Sequence, residues 1–194
     1  MIEIYVMDLE TSGLVGYPFD VPIELAVYKI NFDLSVSHVY DSLIKWDGDR
    51  RKTIDESWWS KQSGVYWNDT QQSKKAHIVW NDLKRILDGK YLLTWNTEYD
   101  LDKFIIPMFD IFGKINFKQL PCPMKVATPI LAIPHYYYGV KFPTLAEAVK
   151  HYKVQRNQNG YFHRAKFDTH HTALVVAEMI KTGDYKLQLE IDTK

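Results

Sequence analysis

The opening of the chain carries two acidic side chains at the end of a predicted β-strand. Residues 2–6 are β-branched or aromatic apart from one glutamate, as is typical of a strand. Asp8 and Glu10 follow, and side chains two positions apart project from the same face of a strand. Neighbouring carboxylates repel unless a cation lies between them, and oxygen ligands suit Mg²⁺ or Mn²⁺. An acid pair alone also fits a solvated strand end, so its meaning depends on partners further along the chain.

The composition fits one folded domain with a sizeable core. The 194 residues are 46% hydrophobic and 14% aromatic, and 24 basic residues balance 24 acidic ones. The zero net charge argues against a protein that coats duplex DNA, but it does not exclude a local basic groove. We predict a domain over residues 1–185 and a polar tail over residues 186–194.

The expected setting is cytoplasmic. Cys122 is the single cysteine, so an internal disulfide is excluded, and the sequence has no Cys/His zinc pattern. Both observations favour a reducing, intracellular environment. No signal peptide is recognisable at the N-terminus, and no apolar run reaches the roughly 18 residues of a membrane helix.

Hydrophobic periodicity predicts an α/β chain that opens as an antiparallel three-strand meander. Further strands are expected at 23–30, 36–44 and 91–95, and helices at 76–87, 101–112, 122–133 and 145–152, with a last helix that ends at Lys181. Pro107 should kink or shorten the helix that contains it. Thr144 and Glu147 form a predicted capping box.

The segment Trp46–Thr70 is polar and rich in aromatic residues, with Trp58, Trp59, Tyr66 and Trp67 close together. One interpretation is a stacking surface for unpaired bases, since basic residues lie nearby. We favour the other interpretation, a satellite apolar cluster that holds a long loop in place.

Several acidic or imidazole side chains lie at predicted element boundaries. Asp100 lies where a strand gives way to a helix, a position at which α/β sheets present ligands, although taken alone an N-cap or first-turn acid is the favoured interpretation. Asp168 falls in the first turns of the last helix, and His163 lies just before it. Glu24, inside an apolar strand, is predicted to face solvent or to pair with a base, without a catalytic role.

Together these residues resemble three motifs of the DnaQ-like (DEDD) 3′→5′ exonucleases. Residues 8–14, Asp-Leu-Glu-Thr-Ser-Gly-Leu, resemble the first motif, Asn96-x-x-Tyr99-Asp100 the second, and His163-x₄-Asp168 the third. The motifs occur in the family's order and on the expected elements. Residue 164 is arginine where the tyrosine branch would have its tyrosine, so the histidine spacing indicates the DEDDh branch. Residues 141–148 also resemble the family's segment between the second and third motifs.

The resemblance implies a fold and a site. The fold would be α/β and ribonuclease H-like, with a central mixed five-stranded sheet flanked by α-helices and a fifth strand near residues 114–120. Asp8, Glu10 and Asp168 would hold the first of two divalent ions, Mg²⁺ or Mn²⁺. Asp8 would bridge to the second ion, and Asp100 would contribute directly or through water.

The remaining roles also follow from the resemblance. His163 would deprotonate water, a role that its near-neutral pKa suits, and as a loop residue it would take its place with substrate bound. Thr11 and Leu14 would contact the terminal nucleotide, and Phe104 would line the pocket. His170 and the adjacent His171 are predicted to be surface or packing residues.

The implied activity is removal of nucleoside 5′-monophosphates from nucleic acid 3′ ends. Single-stranded or frayed DNA ends are the favoured substrate, in proofreading or repair. The alternative is a 3′→5′ exoribonuclease or oligoribonuclease that uses the same site, and contacts to the 2′-hydroxyl would decide between them. A non-catalytic nucleic-acid-binding module of the same fold is disfavoured, because all four acids and the histidine are present.

Overall fold

The structure, a computed structural model, describes residues 2–137, 139–155 and 163–187. The strands are β1 Ile4–Thr11, β2 Pro22–Ile30, β3 Val36–Lys45, β4 Lys74–Lys75, β5 Tyr91–Leu93, β6 Lys118–Gln119, β7 Pro134–His135 and β8 Gly139–Val140. The helices are α1 Arg51–Asp55, α2 Trp58–Ser63, α3 Trp67–Thr70, α4 Ala76–Leu87, a π-helix Glu98–Ile105, α5 Phe109–Phe112, α6 Pro123–Leu131, α7 Leu145–His151 and α8 Ala165–Thr182.

A mixed sheet forms the centre of the molecule, with the order β4-β3-β2-β1-β5-β6. β1, β2 and β3 pair antiparallel as the predicted meander, whereas β5 pairs parallel to β1 and β6 parallel to β5. The predicted α/β class with a mixed, helix-flanked sheet is confirmed. The sheet has six strands rather than five, because the two-residue β4 pairs with the outer edge of β3. The fifth strand expected near residues 114–120 is β6.

One face of the sheet packs against α4 and the π-helix. Met7 and Leu9 of β1 meet Trp80 and Leu83 of α4 and Phe104 of the π-helix in one buried cluster. α4 presents its apolar residues at helical spacing, so one stripe of the helix is buried. Each such side chain contributes about 1.5–3 kcal/mol when fully buried.

The opposite face packs against α6, α7 and α8. Ile4 and Val6 of β1 join Ala127 of α6, Ala148 of α7 and Val176 of α8 in a second buried cluster. Because side chains alternate along a strand, Asp8 and Glu10 continue the row of Ile4 and Val6. The two acids therefore leave the strand on the face that α8 covers.

Pro107 interrupts the helix as predicted. The π-helix ends at Ile105 and α5 begins only at Phe109. Proline has no N–H, and its ring excludes the carbonyl four residues earlier from an α-helical hydrogen bond. That carbonyl, of Lys103, instead accepts a hydrogen bond from the amide of Tyr17 at 3.0 Å. The break thus ties the π-helix to the loop that follows β1.

The segment Trp46–Thr70 folds into α1, α2 and α3 rather than an open loop. Trp59 and Trp67 pack with Ile54 and with Ile23 of β2 in a separate buried cluster, which confirms the favoured interpretation. Trp58, by contrast, is 59% exposed, and the alternative interpretation, a surface for base stacking, is not tested at this residue.

The end of the chain is described only in part. α8 reaches Thr182 and ends at Gly183, whose positive φ of 81° closes the helix. The predicted capping box at the start of α7 is present. Residues 188–194 of the predicted tail lie outside the described part, so the domain boundary stays a prediction. Across residues 2–137, 139–155 and 163–187, none of the helices combines the length and apolar character needed to traverse a bilayer.

Candidate active site

Asp8 and Glu10 lie at the end of β1, where the pairing with β2 becomes irregular. Together with Asp100 and Asp168 they form a row of acidic side chains, the acidic row. Glu10 lies opposite Glu24 of β2, and the register then shifts so that Thr11 faces Pro22. Such irregularities redirect a strand, and they are common beside active sites. Here the irregularity directly follows Glu10, and β1 ends one residue later, at Thr11.

Glu24 is held by the arginine that precedes α8. Its carboxylate accepts from Nε of Arg164 at 3.0 Å and from Nη2 at 2.8 Å, and it also accepts from the amide of Ala165 at 3.0 Å. The prediction that Glu24 pairs with a basic side chain is confirmed by these contacts with Arg164. Because Glu24 is only 4% exposed, the alternative prediction that it faces solvent is wrong. Like charges directly opposite each other in a sheet repel, and Arg164 compensates the repulsion between Glu24 and Glu10. The pair also fixes the start of α8.

Replacing Glu24 with glutamine should lower the free energy of unfolding by about 1–3 kcal/mol, because charge-assisted hydrogen bonds to Arg164 are lost. Denaturant titration measures the difference. Glu178→Gln is the matched control, because Glu178 pairs with Lys181 on an exposed part of α8 and should matter by only about 0–1 kcal/mol. Equal losses in the two variants would contradict the anchoring role of Glu24.

Asp100 reaches the acidic row from the first turn of the π-helix. Its Oδ1 accepts a hydrogen bond of 3.2 Å from the amide of Leu9, the residue between the two acids of β1. Asp100 is 2% exposed, which differs from the simple first-turn acid that the sequence also allowed. π-Helical turns are rare and occur frequently at functional sites.

Asp168 and His163 complete the cluster at the start of α8. The amide of His163 donates to Oδ2 of Asp168 at 2.8 Å, whereas Oδ1 of Asp168 is buried and has no protein partner. One ligand atom from each of Glu10, His163 and Asp168 lies within 4.8 Å of the others. Residues separated by more than 150 positions in sequence therefore meet at one point.

Burial raises the pKa of every carboxyl group in the row, and the charges of neighbouring acids raise the pKa values of Asp8 and Glu10 further. Burial raises the pKa of Asp100 to about 7, although the Leu9 amide lowers it. Burial likewise raises the pKa of Asp168 to about 7. For Glu10, burial and then the charge of Asp168 raise the pKa to about 9. The pKa of Asp8 is also raised, first by burial and then by Asp100.

These properties fit a divalent-cation site. Asp8, Glu10, Asp100 and Asp168 supply the hard oxygen donors that Mg²⁺ and Mn²⁺ prefer. The buried Oδ1 of Asp168 lacks a hydrogen-bond partner, and an uncompensated buried carboxylate is costly. A bound cation would satisfy this atom and would remove the repulsion that raises the pKa values.

A pocket of about 280 Å³ opens beside the acids. Its walls come from the end of β1, the loop after it, α2 and the π-helix; the lining residues are Leu9, Glu10, Thr11, Ser12, Gly13, Leu14, Trp58, Trp59 and Tyr99. Thr11 and Leu14, two of the predicted substrate-contact residues, are therefore in its wall. Leu14 is 74% exposed and Trp58 is 59% exposed, so both present apolar surface at the pocket.

Hydrogen bonds fix the wall that carries Thr11. The hydroxyl groups of Thr11 and Tyr99 are hydrogen-bonded to each other. The Thr11 hydroxyl also donates to the carbonyl oxygen of Gly13 at 2.9 Å, and the Tyr99 hydroxyl lies 2.8 Å from the same oxygen. Burial raises the pKa of Tyr99 to about 12, so its hydroxyl stays protonated. A Cβ at position 13 would lie 2.4 Å from Oδ1 of Asp20, so only glycine fits there.

Phe104 lies one layer beneath this wall. Phe104 is fully buried in the core with its ring edge against Tyr99, and it does not line the pocket. Its contact with substrate stays a prediction, and in this structure it supports Tyr99. His171 is fully buried and His170 packs on Tyr28, which agrees with the packing roles predicted for them.

The sequence did not predict which residues contact Trp58, Trp59 and Tyr99, or that Glu24 pairs with Arg164. Two signals were present in the sequence. Glu24 interrupts an apolar strand, and an arginine stands next to His163. The neighbours of the two tryptophans depend on tertiary packing across more than 100 positions, and local patterns do not encode that distance.

No protein-family model matches the sequence, and no curated protein is significantly similar to it. Solved structures are similar in fold: the chain has the fold of the DnaQ-like 3′→5′ exonucleases. Exonuclease X in complex with 5′-overhanging duplex DNA matches with a TM-score of 0.64 and 16% identity, over 94% of each chain.

Two further structures show the same fold. The nuclease domain of 3′hExo, a DEDDh family member bound to rAMP, has a TM-score of 0.67 and 14% identity over 97% of each chain. Exonuclease I of E. coli, in complex with an oligonucleotide, has a TM-score of 0.66 and 12% identity. The match covers 94% of this chain and 41% of that one. The fold inferred from the three motifs is thus confirmed.

Proposed function

We propose that this protein is a metal-dependent 3′→5′ exonuclease of the DEDDh type. The observation that carries the proposal is the convergence of Glu10, His163 and Asp168 within 4.8 Å beside an apolar pocket. Asp8 and Asp100 add two carboxylates to the same row. Single-stranded or frayed DNA 3′ ends are the proposed substrate.

The proposed roles divide between holding charge and moving a proton. Asp8, Glu10, Asp100 and Asp168 would hold two divalent ions, which supply charge neutralisation at the scissile phosphate when bound. His163 is accessible to solvent, but its ring is partly desolvated by its neighbours, and this desolvation lowers its pKa below the ordinary value. A neutral imidazole at neutral pH is able to accept a proton.

The reaction is hydrolysis of the last phosphodiester bond. Water attacks phosphorus while its proton passes to His163, and the bond from phosphorus to the 3′ oxygen of the penultimate nucleotide breaks. That oxygen takes up a proton and remains as the new 3′-hydroxyl end, and a nucleoside 5′-monophosphate leaves. Leu14 and Trp58 offer apolar surface on which an unstacked terminal base can rest.

An RNA 3′ end is the second candidate substrate. Thr11 and Tyr99 carry hydroxyl groups and line the pocket, and such groups are able to contact a ribose. The similar structure of 3′hExo contains rAMP. The chemistry proposed for the four acids and His163 is the same for either sugar.

A direct assay tests the proposal. The protein is incubated with 5′-labelled single-stranded DNA or RNA of matched sequence in Mg²⁺ or Mn²⁺, and products are resolved by length. We expect stepwise 3′ shortening that EDTA and Asp8→Asn abolish. Asp110→Ala, which removes an exposed acid on α5, is the control and should leave the rate unchanged.

Each outcome of this assay is informative. Shortening of DNA in preference to RNA supports the primary proposal, and shortening of RNA alone replaces it with the second candidate. If neither substrate is shortened with either metal, the exonuclease proposal is wrong.

A further inference from the structure

The main chain of His163 is held by a tryptophan from α2. The indole Nε1 of Trp59 donates to the carbonyl oxygen of His163 at 2.7 Å, across 104 positions of sequence. The preceding residue, Trp58, meets the imidazole ring of His163 edge to face, with ring centroids 4.6 Å apart and planes at 83°. Adjacent side chains of one helix thus contact the backbone and the ring of the same histidine.

α2 is anchored well enough to act as a fixed support. Trp59 is 2% exposed and packs with Ile23 of the central sheet, Ile54 and Trp67. Ser57 caps the N-terminus of α2, and its hydroxyl accepts a hydrogen bond from the amide of Ser60 at 3.0 Å. Gly64, in the left-handed conformation, caps the C-terminus. α2 is therefore held by buried contacts with the central sheet, α1 and α3.

The backbone of His163 lies in an uncommon conformation. Its φ is 72°, in the left-handed region that few residues other than glycine adopt, although asparagine, aspartate and histidine are enriched there. Residues in this region persist where the surrounding contacts over-determine them. Here the His163 amide donates to Asp168, its carbonyl accepts from Trp59, and the next residue, Arg164, is paired with Glu24.

The same two tryptophans also line the pocket beside the acids. Trp58 is 59% exposed, so one side of its ring is open to a bound base while its contact with His163 limits rotation of the imidazole. α2 therefore contributes to the wall of the pocket and also contacts His163, the residue proposed to accept the proton.

We infer that Trp59 and Trp58 are positioning residues for His163: Trp59 fixes its main chain, and Trp58 restricts the orientation of its imidazole. This inference rests on the proposed role of His163 as the proton acceptor. Because geometry at a reacting centre is sensitive to small displacements, a change in α2 should affect turnover more than binding.

The test compares two tryptophans of one cluster. Trp59→Phe keeps an aromatic ring in the core but removes the indole N–H, and Trp67→Phe makes the same change beside it. Trp59→Phe should lower kcat about 10-fold, within the roughly 100-fold that a 1 Å displacement can cost. KM should change by less than about 2-fold, because the substituted ring still fills the wall of the pocket. Trp67→Phe should leave both constants near the wild-type values.

Trp58→Leu tests the contact with the ring. It should lower kcat and also raise KM, because Trp58 both faces the imidazole and lines the pocket. Thermal unfolding of all three variants establishes that each is folded. If Trp59→Phe and Trp67→Phe have the same kcat, or if Trp59→Phe changes only KM, the assignment of Trp59 is wrong. An unchanged kcat in Trp58→Leu overturns the assignment of Trp58.

A spectroscopic readout separates this inference from the proposed function. The ¹H–¹⁵N signal of the His163 main-chain amide should shift in Trp59→Phe and stay in place in Trp67→Phe, and the His163 ring signals should shift in Trp58→Leu, whether or not the protein cleaves nucleic acid. Inactive wild-type protein with these shifts refutes the exonuclease proposal and retains the support by α2. Active wild-type protein without them refutes the support alone.

Discussion

Mn²⁺ added to the metal-free protein at pH 8 is expected to raise its midpoint of thermal unfolding by about 5–10 °C at 100 times Kd. The physical reason is the row of carboxyl groups at the end of β1. In the absence of a cation their charges are buried close together, so a divalent ion that binds the folded state alone removes the repulsion and stabilises that state.

The size of this effect should depend on pH. The folded-state pKa values of Asp100 and Asp168, about 7, and of Glu10, about 9, lie above the ordinary values of unfolded carboxyl groups. The protonated groups therefore contribute stability that is fully present below about pH 4 and is lost as pH rises through about 7 to 9. Metal binding requires the ionised forms, so Kd should rise as pH falls, and at one fixed Mn²⁺ concentration the shift should be larger at pH 8 than at pH 6.

Differential scanning calorimetry with and without Mn²⁺ at the two pH values checks this expectation. Asp168→Asn is the informative variant, because it keeps the shape and an acceptor for the His163 amide but removes one charge. It should make the metal-free protein more stable at pH 8 and reduce the Mn²⁺-induced shift. A shift of equal size at both pH values, or an undiminished shift in Asp168→Asn, would rule out a metal site at this row.

Replacing His163 with asparagine should lower kcat by about 10²–10⁴-fold, the usual contribution of a positioned general base. Asparagine tolerates the left-handed backbone of position 163 better than most residues, so the variant removes the imidazole with little change to the main chain. Single-turnover cleavage of the labelled oligonucleotide measures the rate. His77→Asn, on the exposed side of α4, is the control and should be indistinguishable from wild type.

The same variant separates two roles for the imidazole. If His163 moves a proton, His163→Asn should retain the Mn²⁺-induced rise in the unfolding midpoint while losing turnover. If the rise disappears as well, the imidazole is a metal ligand, which its position within 4.8 Å of Glu10 and Asp168 would allow. An unchanged kcat would exclude both roles.

Local sequence patterns were sufficient for the acids and for most of the fold. The alternation that defines a strand also decides which way Asp8 and Glu10 point, because both follow from the same period of two residues. The boundaries of α4 and α8 follow from apolar spacing and from terminal glycines. Pro107 likewise acts through its own backbone chemistry, so the break before α5 was predictable.

Contacts that depend on packing between distant segments were not predictable. In the π-helix around Asp100 each backbone hydrogen bond spans five residues rather than the four of an α-helix, and no local signal in its sequence distinguishes the two. Arg164, the partner of Glu24, lies 140 positions away. The strand pattern therefore showed that Glu24 was unusual but could not identify the residue that pairs with it. Trp59 was interpretable as a core residue, and it is one, but its indole N–H also reaches His163.

The left-handed backbone of His163 has a consequence for how fast the site becomes competent. With amide and carbonyl already bound, productive placement of the imidazole requires rotation about side-chain bonds rather than reorganisation of the main chain. Rotamer changes of exposed side chains take picoseconds to nanoseconds, whereas loop rearrangements take about a thousand times longer. Backbone conformational entropy of His163 is thus lost during folding, and under the proposed function each catalytic cycle would begin with its main chain already ordered.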